Sequence, residues 1–282
     1  MARLLGHQAR LDRRWVVGLS YLGFLSHPAL DWLNNYGVRL LMPFDGTWYY
    51  GDTLFIVDVW IWAILGGFLF LRRSRSSRWP ALLWTLLAIL ATAAVVLGPE
   101  RGQLPFQLLW LAAMAALVVL DWLRPQALAR PRAAAAALAL ALVYIFLNRG
   151  VTAWAESTAL SQMAAGGQEV EKLMASPVPL NFLLRDVVVQ TPVGYRFGTF
   201  YPLAEPRLRM ASRLIPKPPR TPSVSRAFQQ PQVCGLVNWA RFPWVVVEHA
   251  SRTDRVYIMD ARYRRTPGTG FGGAVVELEA PR

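Results

Sequence analysis

Apolar positions run without interruption through much of the first half of this chain and alternate in short bursts through the second. Thr53 to Leu71, Pro80 to Gly98 and Pro105 to Leu123 each satisfy the roughly 17 to 25 residues a membrane-spanning helix needs. The Ala-rich stretch Ala133 to Leu147 is shorter, and Trp15 to Leu33 is apolar for two-thirds of its length before His27, Pro28 and Asp31 intervene. This pattern predicts about five spans. From Val151 to Ala175 it changes to that of an amphipathic connecting helix, with Val151, Trp154, Thr158, Val170, Leu173 and Met174 on apolar stripes.

Short β-type runs follow at Asp186 to Gln190, Tyr195 to Tyr201, Trp244 to Glu248, Val256 to Met259 and Ala274 to Leu278. Glu205 to Pro222 is rich in Pro and Arg and reads as a long surface loop, and Ser223 or Ser225 is placed to cap a short helix toward Gln230. The expected architecture is an α-helical integral membrane domain over residues 1–150, a connecting helix over 151–175, and a small extracytoplasmic α+β domain with a mainly antiparallel sheet over 176–282.

Composition agrees with membrane insertion. Of 282 residues 54% are hydrophobic and only 17% charged, with a mean hydropathy of +0.29, well away from a soluble domain with about a quarter of its residues charged. The formal net charge of +13 points toward nucleic acid only until the arginines are located. Arg3, Arg10, Arg13 and Arg14 precede the first span, Arg72, Arg73, Arg75 and Arg78 separate the second from the third, and Arg124, Arg130 and Arg132 precede the fifth. The alternate loops hold Arg39 and Arg101. This alternation predicts a cytoplasmic N-terminus, a first span acting as an uncleaved signal anchor, and a C-terminal domain outside the cytoplasm of a bacterial inner membrane. No recognition helix, zinc finger, RNA-binding strand, P-loop or Gly-x-Ser-x-Gly elbow is present, and the glycines from Gly268 to Gly273 read as a hairpin loop. The expected partner is the lipid bilayer, with no nucleic acid.

With one cysteine, Cys234, and three histidines, His7, His27 and His249, any metal centre must lean on carboxylates. Ionisable groups in hydrocarbon are costly, so their concentration between residues 27 and 58 carries information. His27 and Asp31 are four apart and share a helix face about one turn apart. Such a pair can bind one metal ion, or the carboxylate can orient the ring. Asp52 and Asp58 open the following span, and the intervening hairpin would bring all four groups to one depth. Asp58 falls one to two turns inside the apolar run. The alternative reading makes Asp52 a helix N-cap after Gly51 and His27 an interfacial residue beside an aromatic belt of Trp32, Tyr36, Trp48, Tyr49 and Tyr50.

The string His27-Pro-Ala-Leu-Asp31-Trp-Leu-Asn-Asn-Tyr36-Gly37, followed by Leu41-Met-Pro43-Phe44, Trp48-Tyr-Tyr-Gly-Asp52 and Leu54-Phe-Ile-Val-Asp58, resembles the YdjM-like family of bacterial inner-membrane predicted metal-dependent hydrolases. Trp239-Ala-Arg-Phe-Pro243 and Val256-Tyr-Ile-Met-Asp260-Ala-Arg-Tyr263 resemble that family's closing pattern. Two departures stand out. Family members usually carry, before this region, a Thr-His pair and a His-Arg-Gly-x-Thr-His-Ser string that this chain lacks. Where they tend to have Asp-Pro, this chain has Asp58-Val59.

The resemblance implies a divalent metal ion, of unknown identity, held by His27, Asp31, Asp52 and Asp58. Asp52 or Asp58 would be the catalytic carboxylate, acting on a lipid-linked or envelope substrate through metal-activated water. A set completed by upstream histidines would make these four residues only part of the site. The competing expectation is a non-catalytic membrane-anchored binding or scaffold protein, a shortened and inactive relative, whose polar hairpin only packs spans together.

Overall fold

The computed structural model describes residues 12–73, 78–98, 104–123, 131–249 and 253–279. Helix α1 (Arg13–Leu33) is N-capped by Asp12, whose side chain accepts from the Arg14 N–H, and none of its residues is buried. The chain then turns back in an irregular segment, with Val38 bridged to Tyr49 and Asn34 to Leu54. It re-enters helix as α2 (Val59–Ile61), a π-helical turn (Trp62–Gly66) and α3 (Gly67–Arg73). Helices α4 (Arg78–Leu97), α5 (Leu104–Leu123) and α6 (Pro131–Ala165) follow. The π turn brings the Gly66-Gly67 backbone close to its neighbours: a Cβ on Gly66 would lie 2.9 Å from the Trp84 ring, and one on Gly67 2.9 Å from Leu117. Between α4 and α5, Trp110 donates to the Thr92 hydroxyl (3.0 Å) and Gln107 to the Val95 carbonyl (2.9 Å).

Among the described residues two helices have the length and hydropathy of a span, Leu104–Leu123 and Arg132–Ala165, so the expectation of about five is not supported. The reason lies in helix boundaries. Thr53 to Val57 is apolar in sequence but not helical, leaving the shorter apolar helix Val59–Leu71. At about 1.5 Å per residue this covers roughly 20 Å of a hydrocarbon core about 30 Å thick. Leu82–Leu97 is also short, and α1 is diluted by Ser20, Ser26, His27 and Asp31. Arginines preceding residue 12 and those at positions 75, 101, 124 and 130 lie outside the described residues.

Helix α6 runs across residue 150, where the sequence reading divides the chain. It continues unbroken for 35 residues, so the apolar run and the first part of the connecting helix are one rod about 50 Å long. The rod ends at Ala165, and the strand β1 (Lys172–Pro177) replaces the rest of the predicted amphipathic helix. Strand β1 joins β2 (Arg185–Thr191), β3 (Gly194–Phe200) and β4 (Leu208–Pro216) in an antiparallel sheet of that order. Strand β4 lies inside the stretch expected to be loop. It is an edge strand, exposed along most of its length and with a register shift against β3, so its sequence lacks the alternation of a half-buried strand.

A second antiparallel sheet consists of β5 (Pro243–His249), β6 (Thr253–Asp260) and β7 (Gly273–Glu279). Met174, Val188, Phe197 and Ile215 of the first sheet pack against Trp244 and Met259 of the second. The opposite face of the first sheet, with Ala175, Val187, Val189, Phe200 and Leu208, packs on Ala155, Ala159 and Met163 of α6. Burial on both faces explains the continuous Val187-Val188-Val189 run. The outer face of the second sheet is covered by α7 (Pro222–Phe228) and α8 (Pro231–Trp239) through Val224, Ala227 and Val233. The cap of α7 is Thr221, ahead of both Ser223 and Ser225, the two residues of the sequence expectation.

Candidate functional site at the helix and sheet junction

The segment from Asn34 to Asp58 lies where the helices meet the sheet domain, and polar contacts from both sides converge on it. Trp239 donates from its indole N–H to the Tyr36 carbonyl (2.9 Å). Arg262, whose side chain is fully buried, donates to the Asn35 carbonyl (2.6 Å), the Trp239 carbonyl (3.1 Å) and the Asp260 carboxylate (2.7 Å). Asp260 also accepts from the backbone N–H of Arg241 and of Arg262. Desolvation opposes the charge on Arg262, but Asp260 outweighs it and holds the guanidinium above its ordinary range. Nearby, burial pushes the Tyr50 phenol up against Arg262 and Arg241, and the Tyr263 phenol up against Arg262.

Asp52 is buried in this junction, in the left-handed region at φ 48°. Both of its oxygens accept from Nη1 of Arg241, at 3.0 and 2.8 Å. Arg241 also donates to the Leu173 carbonyl and lies over the Tyr50 ring, 4.4 Å from its centroid. Burial raises the Asp52 carboxyl above its ordinary value, while Arg241 pulls in the opposite direction. The Asp52 backbone carbonyl accepts from Thr152 on α6 (2.9 Å). Thr152 in turn accepts from Arg185.

Arg185 is completely buried with no carboxylate within ion-pair distance among the described residues. Its five N–H groups are nonetheless matched by five bonds, to Thr152, to the Phe182 and Leu184 carbonyls, and to the carbonyl and side chain of Asn148. Burial draws the guanidinium down to about 10, which leaves it charged at neutral pH. This arginine fastens β2 to the midpoint of α6. Beside it, Leu180 and Phe182 enter the end of the helix bundle. Phe182 makes edge contacts with Trp60, Phe106 and Tyr144, and Trp60 donates to the Leu180 carbonyl at 2.7 Å.

Asp58 is not inside a helix as the sequence suggested. It is the N-cap of α2, accepting from the backbone N–H of Trp60 and Ile61, and its other oxygen accepts from the Tyr144 hydroxyl at 3.0 Å. The capping role proposed for Asp52 therefore belongs to Asp58. His27 and Asp31 do meet, with Nε2 to Oδ2 at 3.4 Å, on an exposed face of α1.

The four residues thus separate into an exposed His27 and Asp31 pair, an Asp52 ion pair and an Asp58 cap. A single metal ion does not fit them. Both oxygens of Asp52 face a guanidinium and those of Asp58 face N–H and O–H donors. Among the described residues no three His, Cys, Asp or Glu side chains form a ligand group. Arg185, Arg241 and Arg262 were not singled out by sequence reasoning as site residues. The last two sit within the Trp239 to Pro243 and Val256 to Tyr263 strings, where a buried Asp-x-Arg is a legible signal; Arg185 carries none.

These contacts define the class: a protein with apolar helices and a two-sheet domain joined through an arginine-rich junction. Residues 1–101 match the model of a family described as YdjM inner membrane protein, the family that the His27 to Asp58 strings resemble. The match includes His27, Asp31, Asp52 and Asp58 and ends before the sheet domain. No curated protein and no solved structure matches the chain.

Proposed function

We propose that this chain is a multi-pass bacterial inner-membrane protein whose sheet domain lies outside the cytoplasm and works as a non-catalytic binding or scaffold module. The observation that carries this reading is the engagement of Asp52 by Arg241. A carboxylate expected to hold a metal or activate water instead joins the domain to the hairpin. Arg72 and Arg73 close α3 and Arg132 opens α6, whose other half packs on the sheet domain, which supports the cytoplasmic assignment of those helix ends. Deleting residues 176 to 282 should abolish function in a complementation assay, whereas Asp58→Asn should lower stability and leave function intact. Loss of function in a stably folded Asp58→Asn protein would overturn the reading.

The second reading, a metal-dependent hydrolase acting on a lipid-linked or envelope substrate, is favoured by the family resemblance and by the exposed His27 and Asp31 pair. It requires a divalent ion that depends on His27. Metal analysis of purified wild-type and His27→Ala protein separates the two: equal content excludes the hydrolase reading, and loss of bound metal in the variant supports it.

A further inference from the structure

The hairpin that leaves α1 ends in a tip with no partner elsewhere in the fold among the described residues. Leu40, Leu41 and Met42 are about half exposed and Phe44 is 94% exposed. These four apolar side chains fall within five consecutive residues on a tight turn, in which the N–H groups of Phe44 and Asp45 both donate to the Leu41 carbonyl. We propose that this tip is a lipid-insertion loop that rests in the outer leaflet at the boundary between headgroups and acyl chains. The proposal rests on the membrane reading given above and adds to it a second point of attachment.

Three observations argue for lipid as the occupant. First, the tip follows α1, whose Trp15, Leu19, Leu22, Phe24, Leu25 and Leu30 are all exposed, so apolar surface lies on both sides of the buried Asn34 and Asn35. Second, the flanks have the chemistry of a membrane interface. Arg39 lies over the Trp48 ring at 5.1 Å, and Tyr49 follows it on the returning chain. Aromatic rings paired with a basic group are suited to the headgroup level. Third, part of the polar backbone at the tip is satisfied locally. Two N–H groups are closed within the turn, Pro43 has none, and the Thr47 N–H and hydroxyl both donate to the Asp45 carboxylate. Unsatisfied backbone groups are what usually bar irregular chain from lipid. Asp45 also sets the depth: a carboxylate next to Phe44 keeps the loop shallow.

The only cysteine is Cys234, which is exposed, so single-site labelling is straightforward after Cys234→Ser. In that background Phe44→Cys, Leu109→Cys on α5 and Leu203→Cys in the sheet domain would each carry a fluorophore in vesicles of phosphatidylglycerol and phosphatidylethanolamine. All three native side chains are exposed, so the labels need no room in the core. Nitroxide-labelled lipid reports contact with the bilayer and aqueous iodide reports contact with water. The expected result is several-fold stronger lipid quenching at positions 44 and 109 than at 203, with the order reversed for iodide. If position 109 is lipid-quenched while 44 behaves like 203, the loop proposal fails and the membrane reading stands. If 109 is water-quenched as well, both fail.

Discussion

Replacing Asp52 by Asn tests whether the ion pair holds the sheet domain to the hairpin. The substitution is nearly isosteric, and Asn tolerates the φ of 48° as well as Asp does, so backbone strain adds little. What is lost is the negative charge facing Arg241, whose side chain is only 14% exposed. Removing one member of a buried pair costs about 3–5 kcal/mol, because the other charge is left uncompensated. Here Arg241 keeps the Leu173 carbonyl, the face of Tyr50 and one amide oxygen, which reduces the expected cost to about 2–3 kcal/mol. Arg241→Gln should cost about the same. The double variant should cost much less than the sum, with a coupling of about 2 kcal/mol, since neither buried charge remains. The raised Asp52 carboxyl offsets part of this cost, because burial disfavours its charge despite the arginine. Hydrogen exchange of peptides covering residues 34 to 58 reads local opening directly. A 2–3 kcal/mol change is roughly a 30- to 150-fold rise in exchange rate. Single effects that add to within about 0.5 kcal/mol would show that the pair does not couple the two parts.

Phe182→Ala should destabilise the docked state by about 3–4 kcal/mol, by emptying the space among Trp60, Phe106 and Tyr144; a thermal midpoint unchanged from wild type would refute this role of Phe182. Gly37→Ala should cost at least about 1–3 kcal/mol, because φ is +87° and the new Cβ would fall 2.3 Å from the Tyr50 ring; exchange protection of the hairpin is the measure. Hydrogen bonds from Ser223 and then from His249 hold the Asp254 carboxyl below its ordinary value. A lowered carboxyl contributes stability that is present above the unfolded value, near 3.9, and is lost as pH falls through the folded one. Ser223→Ala should therefore lower the thermal midpoint at pH 6 by more than at pH 3, and a difference independent of pH would count against this assignment.

Much of the secondary structure was legible in the sequence because burial leaves a periodic trace. Strands β2, β3, β5, β6 and β7 fall on the short runs anticipated from sequence, since each has a face against α6, the other sheet or α7 and α8. Strand β1 was absorbed into a helix because Leu173 and Met174 fit either period, and β4 was hidden because an edge strand does not need apolar alternation. Thr53 to Val57 read as helix because composition records hydrophobicity and not backbone path; the N–H groups of Thr53 and Leu54 instead bond the Leu33 carbonyl.

The candidate site divides along the same line. Sequence alone determined that His27 and Asp31 share a helical turn, because that spacing is local, and that Asp52 and Asp58 are exceptional in an apolar region. Which partners those carboxylates have was decided only by tertiary structure: Arg241 is 189 positions from Asp52 and Tyr144 is 86 from Asp58. No local period encodes a contact of that separation. A buried charge must find hydrogen-bonding or charged partners wherever the fold brings them. In this protein it comes from arginines of the sheet domain and from the middle of α6.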